Sequence, residues 1–142
     1  MMGRLMILAL AIAFSAPQTL AENTPEGVAD AFHDAITYGD EKAVKAALAP
    51  HVKILEGGHA QTSRADYMAG HMKSDMAFIP YMVRTVLERD TKIDGDIAWV
   101  TTFSRMKGSY NGKDYDFPSR ELLVIENIEG KWQITLVHWT DK

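Results

Sequence analysis

Three glycine-containing dipeptides divide the second half of the 142-residue chain into segments of strand length. Asp94–Gly95 and Asn111–Gly112 are pairs that two-residue type I′ hairpin turns favour, and Glu129–Gly130 is a weaker turn signal. From Tyr81 onward, the hydrophobic pattern has the period of two that is typical of strands. The sequence therefore predicts a meander of four strands, near residues 81–92, 97–109, 114–127 and 131–139.

The first half carries helix signals instead of this alternation. Apolar residues recur at helical spacing after Thr24, Asp40 and Ser63, each of which is a residue type that caps helix N-termini. A strand over residues 51–56 lies between the second and third of these helices, with Glu56 on its apolar face. The order helix, helix, strand, helix and four-stranded meander predicts one α+β domain.

The first 21 residues have the layout of a secretory signal. Arg4 gives a positive start, Leu5–Phe14 is an uncharged apolar run, and Thr19–Ala21 places small residues at the −1 and −3 positions of a cleavage site. The apolar run is about half of the roughly 20 residues that a membrane span needs. We expect residues 1–21 to be cleaved and the domain over 22–142 to be periplasmic or secreted, without stable membrane anchoring; the alternative is an uncleaved interfacial anchor.

Composition narrows the classes of function. The chain has 15 Lys and Arg against 19 Asp and Glu, and this mild acidity argues against a nucleic-acid partner. It has no cysteine, so it forms no disulfide, thiolate metal site or cysteine nucleophile. Phosphate-binding glycine loops, the GxSxG elbow and the HExxH zinc motif are absent from the sequence. Function therefore depends on histidine, carboxylate and aromatic residues.

This order of elements resembles a known superfamily. The break at Gly39–Asp40, the helix SRADYMAGHM (63–72) and the terminal GKWQITLVHW (130–139) are similar to the nuclear transport factor 2-like superfamily, close to its SnoaL-like branch. The resemblance covers residues 24–140 and implies a curved antiparallel sheet that wraps a long helix around a conical cavity, with the ligand inside the cone. The superfamily includes ketosteroid isomerase, dehydratases, epoxide hydrolases and members without known activity, so the resemblance leaves the function open.

Ketosteroid isomerase offers one chemistry to compare. In that enzyme a first-helix tyrosine and a late-strand carboxylic acid bind the oxyanion, and a first-strand aspartate moves the proton. Alignment on the end of the first helix puts Phe32, which has no hydroxyl group, at the tyrosine position. Alignment on the last turn puts the position of the carboxylic acid near Leu122, beside Glu121. Of the three functional positions, only that of the base has a plausible counterpart, Glu56. Because the oxyanion hole is missing, steroid-type isomerisation is disfavoured.

Three of the five histidines are expected at the cone. Strand alternation points His138 inward with Ile134, and helical spacing points His71 inward. His59 follows a glycine pair that ends the strand, at the mouth of the implied cone. The remaining two histidines lie on polar faces and are expected to be exposed: His33 and His51.

These histidines suggest a metal site. Asp75 lies one helical turn after His71, so both side chains can reach one ion. The predicted metal ligands are His59, His71, Asp75 and His138. Copper and zinc are the ions that an exported protein would encounter, and three methionines at helical spacing would favour Cu(I). The alternative is that the methionines are core residues and that Asp75 is only the hydrogen-bond partner of His71.

The first hypothesis is therefore an exported protein that binds a metal ion, copper or zinc, or a small molecule inside its cone. The predicted pocket residues are Tyr67, Met68, Met72, Trp99 and Phe103. The alternative is a cofactor-independent lyase or isomerase that uses Glu56 or the same histidines as base. A third hypothesis is a non-catalytic module that forms a homodimer through an open sheet face carrying Gln133, Thr135, Val137 and Trp139.

Overall fold

The helices precede most of the sheet along the chain. A computed structural model describes residues 23–140, and the predicted signal segment, residues 1–21, lies outside them. The helices are α1 (Pro25–Tyr38), α2 (Glu41–Ala47), α3 (Arg64–Ala69) and α4 (His71–Phe78), which continues into a 3₁₀ turn (Ile79–Tyr81). The strands are β1 (Leu48–Glu56), β2 (His59–Gln61), β3 (Met82–Asp94), β4 (Ile97–Tyr110), β5 (Lys113–Ile128) and β6 (Lys131–Thr140).

The six strands form one unclosed sheet in the order β2-β1-β6-β5-β4-β3. Strands β3 to β6 are the predicted antiparallel meander, and β1 pairs with β6 in parallel. The short strand β2, which the sequence pattern did not predict, folds back on β1 through Gly57 and Gly58. Both glycines have positive φ, of 53° and 84°, a conformation that other residues adopt at a cost. The α+β fold class is confirmed.

Capping residues set the helix ends. The Thr24 hydroxyl accepts a hydrogen bond from the Gly27 amide at 3.0 Å, and Gly39 ends α1 in the left-handed conformation with φ of 71°. The predicted third helix is in fact two helices, because Gly70 leaves helical geometry and ends α3 before α4 begins. No helix within residues 23–140 is both long enough and apolar enough to cross a membrane.

The main core lies between α1 and the inner face of the sheet. The Phe32 ring is fully buried and stacks on the Trp139 ring at a centroid distance of 6.0 Å. Burial of a side chain of this size stabilises the fold by about 1.5–3 kcal/mol. The fully buried apolar residues around it include Ile54, Leu48, Val100, Leu123, Ile125, Ile134 and Val137.

A bulge interrupts the pairing of β6 with β5. Ile134 pairs with Ile125, but Leu136 pairs with Val124, so β6 carries one additional residue at this point, Thr135. Both Ile134 and Thr135 are buried. A bulge of this kind shifts the inward and outward alternation by one residue beyond it.

The bulge makes two predicted orientations wrong. His138, which was expected inside, is exposed on the outer face, and Trp139 points inward instead. The predicted open face of Gln133, Thr135, Val137 and Trp139 does not exist, because Thr135 and Val137 are buried. An orientation predicted by strict alternation is wrong when a bulge lies between the reference residue and the residue in question.

The start of β3 approaches β4 closely at one position. Gly108 of β4 pairs with Met82 of β3. A methyl group at residue 108 would clash with the carbonyl oxygen of Tyr81 and lie 3.0 Å from the Met82 Cα. These are backbone atoms, which cannot move aside as a flexible side chain does, so only glycine fits here.

We expect Gly108→Ala to lower the free energy of unfolding by about 1–3 kcal/mol through this overpacking. Ser109→Ala, at the exposed next residue, is the matched control and should change it by less than about 0.5 kcal/mol. Urea unfolding of the three proteins measures both effects. Equal stability of the two variants would contradict the close approach.

Candidate functional site

A cavity of about 650 Å³ lies between the helices and the inner face of the sheet. This volume is in the range that holds a small organic molecule. Much of its wall is apolar, formed by residues that include Ile36, Phe78, Ile79, Met82, Met106 and Phe117. The acidic, basic and histidine residues on the wall are His33, Glu56, Asp75, Arg84 and Glu121. They fall into two clusters.

The first, here called the His71 cluster, consists of Glu56, His71 and Asp75. His71 Nε2 lies 2.8 Å from Glu56 Oε2 and 3.5 Å from Asp75 Oδ1. On the other side of the ring, Gln61 Nε2 lies 3.2 Å from His71 Nδ1. Nε2 thus faces the two carboxylates, and Nδ1 faces the Gln61 amide. The cluster therefore places one imidazole nitrogen beside two carboxylates.

Local structure explains how these side chains meet. Glu56 ends β1 just before Gly57, and His71 begins α4 just after Gly70. Asp75 follows one turn later in α4, so it lies on the same face as His71. His71 and Asp75 are in contact at 3.5 Å, as their spacing of one helical turn predicted.

Burial changes the acidity of this cluster. The Tyr67 hydroxyl, on a fully buried side chain, donates a hydrogen bond of 2.6 Å to Asp75 Oδ2. Burial, followed by the charge of Asp75, raises the pKa of Tyr67 so that the phenol stays protonated. Burial also raises the pKa of Asp75, against the opposing effects of the Tyr67 hydrogen bond and the His71 charge. Asp75 thus holds a proton at higher pH than an exposed aspartate does.

The second, here called the Glu121 cluster, consists of Glu121, His33, Arg84 and Trp139. Trp139 Nε1 donates to Glu121 Oε2 at 2.6 Å, and His33 Nε2 lies 2.8 Å from the same oxygen. Arg84 Nη2 is more distant, 3.5 Å from Glu121 Oε1. Burial alone would raise the pKa of Glu121, but the charge and hydrogen bond of His33, with Trp139 and Arg84, lower it to about 2. Glu121 is therefore a fixed negative charge.

Trp139 brings the Glu121 cluster next to the His71 cluster on the sheet. On β6 it pairs with Glu56 of β1 on one side and with Glu121 of β5 on the other. Neighbouring strands are about 4.8 Å apart, so the backbone positions of the two glutamates are roughly 10 Å apart. Because both glutamates also line the same cavity, the two clusters face one cavity.

Two of the predicted metal ligands lie away from this cavity wall. His59 is exposed on β2, and His138 is exposed on the outer face of β6. His71 and Asp75 instead converge with Glu56, which the sequence analysis had considered only as a base. One ligand atom from each of these three residues lies within 4.8 Å of the other two.

The predicted pocket residues lie elsewhere. Tyr67 and Met72 are buried in the core, and Met68 packs against it. Trp99 is exposed, and Phe103 lines a second pocket, of about 350 Å³, together with His138. The burial pattern of β4 explains why Trp99 and Phe103 do not face the cavity: the even-numbered residues between 98 and 106 are the buried ones.

The sequence analysis missed the Glu121 cluster. His33 was expected to be exposed, which is wrong: it is partly buried against Glu121. One signal was available, because Glu121 directly precedes the apolar run 122–125 in a strand that the pattern predicted correctly. A buried carboxylate requires a donor, but the sequence gives no indication that His33 supplies it.

Comparison with known proteins places the chain among cone-shaped folds. A family model described as SnoaL-like domain matches residues 26–139. A solved structure of a proposed ketosteroid isomerase from Shewanella frigidimarina is 40% identical, with a TM-score of 0.78, and the match covers 80% of this chain and 93% of that one. No curated protein matches the chain.

More distant structures share the fold. A proposed dehydratase of the NTF2-like family from Streptomyces avermitilis has 14% identity and a TM-score of 0.71, and the match covers 81% of this chain and 92% of that one. The S. rosetta CaMKII hub has 19% identity and a TM-score of 0.69, with 89% and 99% covered. The predicted NTF2-like fold is confirmed.

The low pKa of Glu121 predicts a stability effect. The drop from 4.5 to about 2 corresponds to about 3 kcal/mol of free energy of unfolding at neutral pH. This contribution is present above the ordinary pKa and is lost as the pH falls from 4.5 toward 2. Glu121→Gln should therefore be less stable than wild type by about 3 kcal/mol at pH 7, with a difference that shrinks on acidification.

Urea unfolding over a pH series measures this difference. Glu126→Gln, on the same strand, is the matched control and should stay within about 0.5 kcal/mol of wild type at pH 7. Equal losses in both variants at pH 7 would show that Glu121 is not specifically stabilised.

Proposed function

The chain belongs to the SnoaL-like family, and from the geometry of its cavity we propose that it binds a small organic molecule there and moves a proton on it with the His71 cluster. The single observation that carries this proposal is the contact of the His71 imidazole with two carboxylates on the cavity wall, Glu56 and Asp75. Titratable groups perturbed by burial and by each other are characteristic of acid–base sites. The reaction class is a cofactor-independent isomerisation or elimination.

Glu56 and Asp75 differ in how much of the side chain is exposed, and this difference gives them different roles. The Glu56 side chain is 36% exposed and that of Asp75 only 14%, so Glu56 is the better placed base for a ligand carbon next to a carbonyl group. The 2.8 Å contact with His71 Nε2 places the Glu56 carboxylate beside the imidazole. Return of the proton to another ligand atom completes an isomerisation, and departure of a neighbouring group completes an elimination.

The S. frigidimarina structure supports the isomerase class through its printed name and its 40% identity. The steroid-type oxyanion site is not supported. Phe32 is buried without a hydroxyl group, and a glutamate whose pKa is about 2 cannot donate the proton that a neutral acid donates in ketosteroid isomerase. A substrate oxygen would need another positive or hydrogen-bonding group.

We expect the protein to exchange the α-hydrogens of β,γ-unsaturated ketones in D₂O, because Glu56 accepts a proton from the carbon next to the carbonyl group. A panel of one to four rings suits a cavity of about 650 Å³. Glu56→Gln should reduce the rate by about 100-fold or more. NMR measures the exchange, and ultraviolet absorbance measures any conjugated product.

Glu126→Gln is the control for loss of a carboxylate on the same sheet and should retain wild-type exchange. Circular dichroism and thermal unfolding establish that both variants are folded. Buffer-rate exchange for every ketone, or equal exchange in wild type and Glu56→Gln, would contradict the proposed proton transfer.

A divalent metal ion is the second candidate for the same cluster. The observation that favours it is the 4.8 Å limit within which Glu56, His71 and Asp75 each present one ligand atom. One nitrogen and two oxygen donors suit zinc. The export predicted from residues 1–21 would also bring the domain into contact with zinc outside the cytoplasm.

On this candidate function, the untagged protein retains one equivalent of Zn²⁺ after dialysis and loses it in His71→Ala. His138→Ala, on the outer face, is the matched control and should retain the ion. Elemental analysis measures the retained zinc. If the wild type retains no zinc, or if His71→Ala and His138→Ala retain it equally, a metal site at His71 is contradicted. If hydrogen exchange of the ketones continues in the presence of a chelator, the cluster acts in proton transfer without a metal.

A further inference from the structure

Arg84 is a cation on the cavity wall, and one of its nitrogens, Nη2, makes no hydrogen bond within residues 23–140. Its side chain is 22% exposed, and its Nη2 atom is buried without a hydrogen-bond partner in the described part of the chain. Its ion pair with Glu121 is 3.5 Å long. A guanidinium group has five N–H donors in a planar fork, and leaving such donors unpaired away from water costs free energy.

Glu121 does not need Arg84 to satisfy its carboxylate. His33 and Trp139 already contact Oε2 at 2.8 and 2.6 Å, and His33 also lies 3.0 Å from Oε1. The Glu121 side chain is 3% exposed and that of Arg84 22%, so a ligand in the cavity meets more of the arginine than of the glutamate. Burial, followed by the charge of Arg89, lowers the pKa of Arg84, and the charges of Glu121 and Asp30 oppose that effect.

We propose that Arg84 binds the carboxylate of the cavity's ligand, so that the ligand is a small organic acid with an apolar body. This inference rests on the proposed function only in that the cavity takes a small organic molecule. A planar guanidinium fork matches a carboxylate in two parallel hydrogen bonds. The apolar remainder of the wall, with Phe78, Met106 and Phe117, matches a hydrocarbon body.

The sheet places this anchor opposite the His71 cluster. Arg84 is on β3 and Glu56 on β1, which are four strand positions apart. That separation is roughly 19 Å along the sheet surface, and curvature makes the direct path shorter. A ligand held by its carboxylate at Arg84 would thus extend its other end toward the base.

The experiment compares carboxylates with their neutral amides. Isothermal titration calorimetry at low ionic strength measures the affinity of aromatic carboxylates of one, two and three fused rings, each beside its primary amide. We expect at least one carboxylate to bind wild type about tenfold or more tightly than its amide. In Arg84→Gln the ratio should fall to about one, while affinity for the amide is retained.

Two further variants sharpen the result. Arg105→Gln removes the same charge from an exposed position paired with Asp116 and should keep the wild-type ratio. Arg84→Lys keeps the charge but loses the fork, so its ratio should be intermediate; it also serves as the test if Arg84→Gln does not fold. Equal affinity of every carboxylate and its amide for wild type, or an unchanged ratio in either Arg84 variant, would overturn the anchor.

Glu56→Gln separates this inference from the proposed proton transfer. It should lose hydrogen exchange but keep the preference for carboxylates. A carboxylate preference in a wild-type protein that exchanges no ketone supports the anchor and contradicts proton transfer. Exchange of neutral ketones without any carboxylate preference overturns the anchor and leaves proton transfer intact.

Discussion

A buried negative charge on the sheet is the interaction on which the arrangement of the cavity depends. Glu121 cannot stay ionised inside the protein without donors, since an unpaired charge there costs several kcal/mol. His33 from α1 and Trp139 from β6 supply hydrogen bonds, and Arg84 from β3 supplies positive charge. One carboxylate therefore joins a helix to three strands. It fixes the position of α1 over the sheet and with it one wall of the cavity.

The bulge at Thr135 is what makes this interaction available. Without the additional residue, strict alternation would turn Trp139 outward and His138 inward. The fold was predictable from local signals, because turns such as Asn111–Gly112 and caps such as Thr24 act through their own backbone. The bulge was not, because Thr135 resembles any other strand residue and its effect arises only from pairing with β5.

The same distinction applies to the site. The pairing of His71 with Asp75 follows from the geometry of one helix, so the sequence predicted it. The convergence of Glu56 with them requires β1 to end beside α4, which depends on the packing of distant segments. His33 was misjudged for a related reason: its helix face is polar, but Glu121 from 88 residues away covers it. Local sequence patterns indicate which face of a helix or strand a residue lies on, but they do not indicate which distant residue it contacts.

Two carboxylates on one cavity wall have acquired opposite acidities, although burial acts on both in the same direction. Asp75 receives a hydrogen bond from the neutral phenol of Tyr67 and shares His71 with Glu56, so burial prevails and its pKa is raised. Glu121 has a closer histidine, His33 at 2.8 Å, together with the Trp139 hydrogen bond and the charge of Arg84, so its pKa falls to about 2. Donor strength, and not burial, decides the difference. Environments that separate the pKa values of like groups also separate their roles. On the proposed function, proton exchange belongs to the His71 cluster, and a permanent charge, with the cation beside it, belongs to the other end of the cavity.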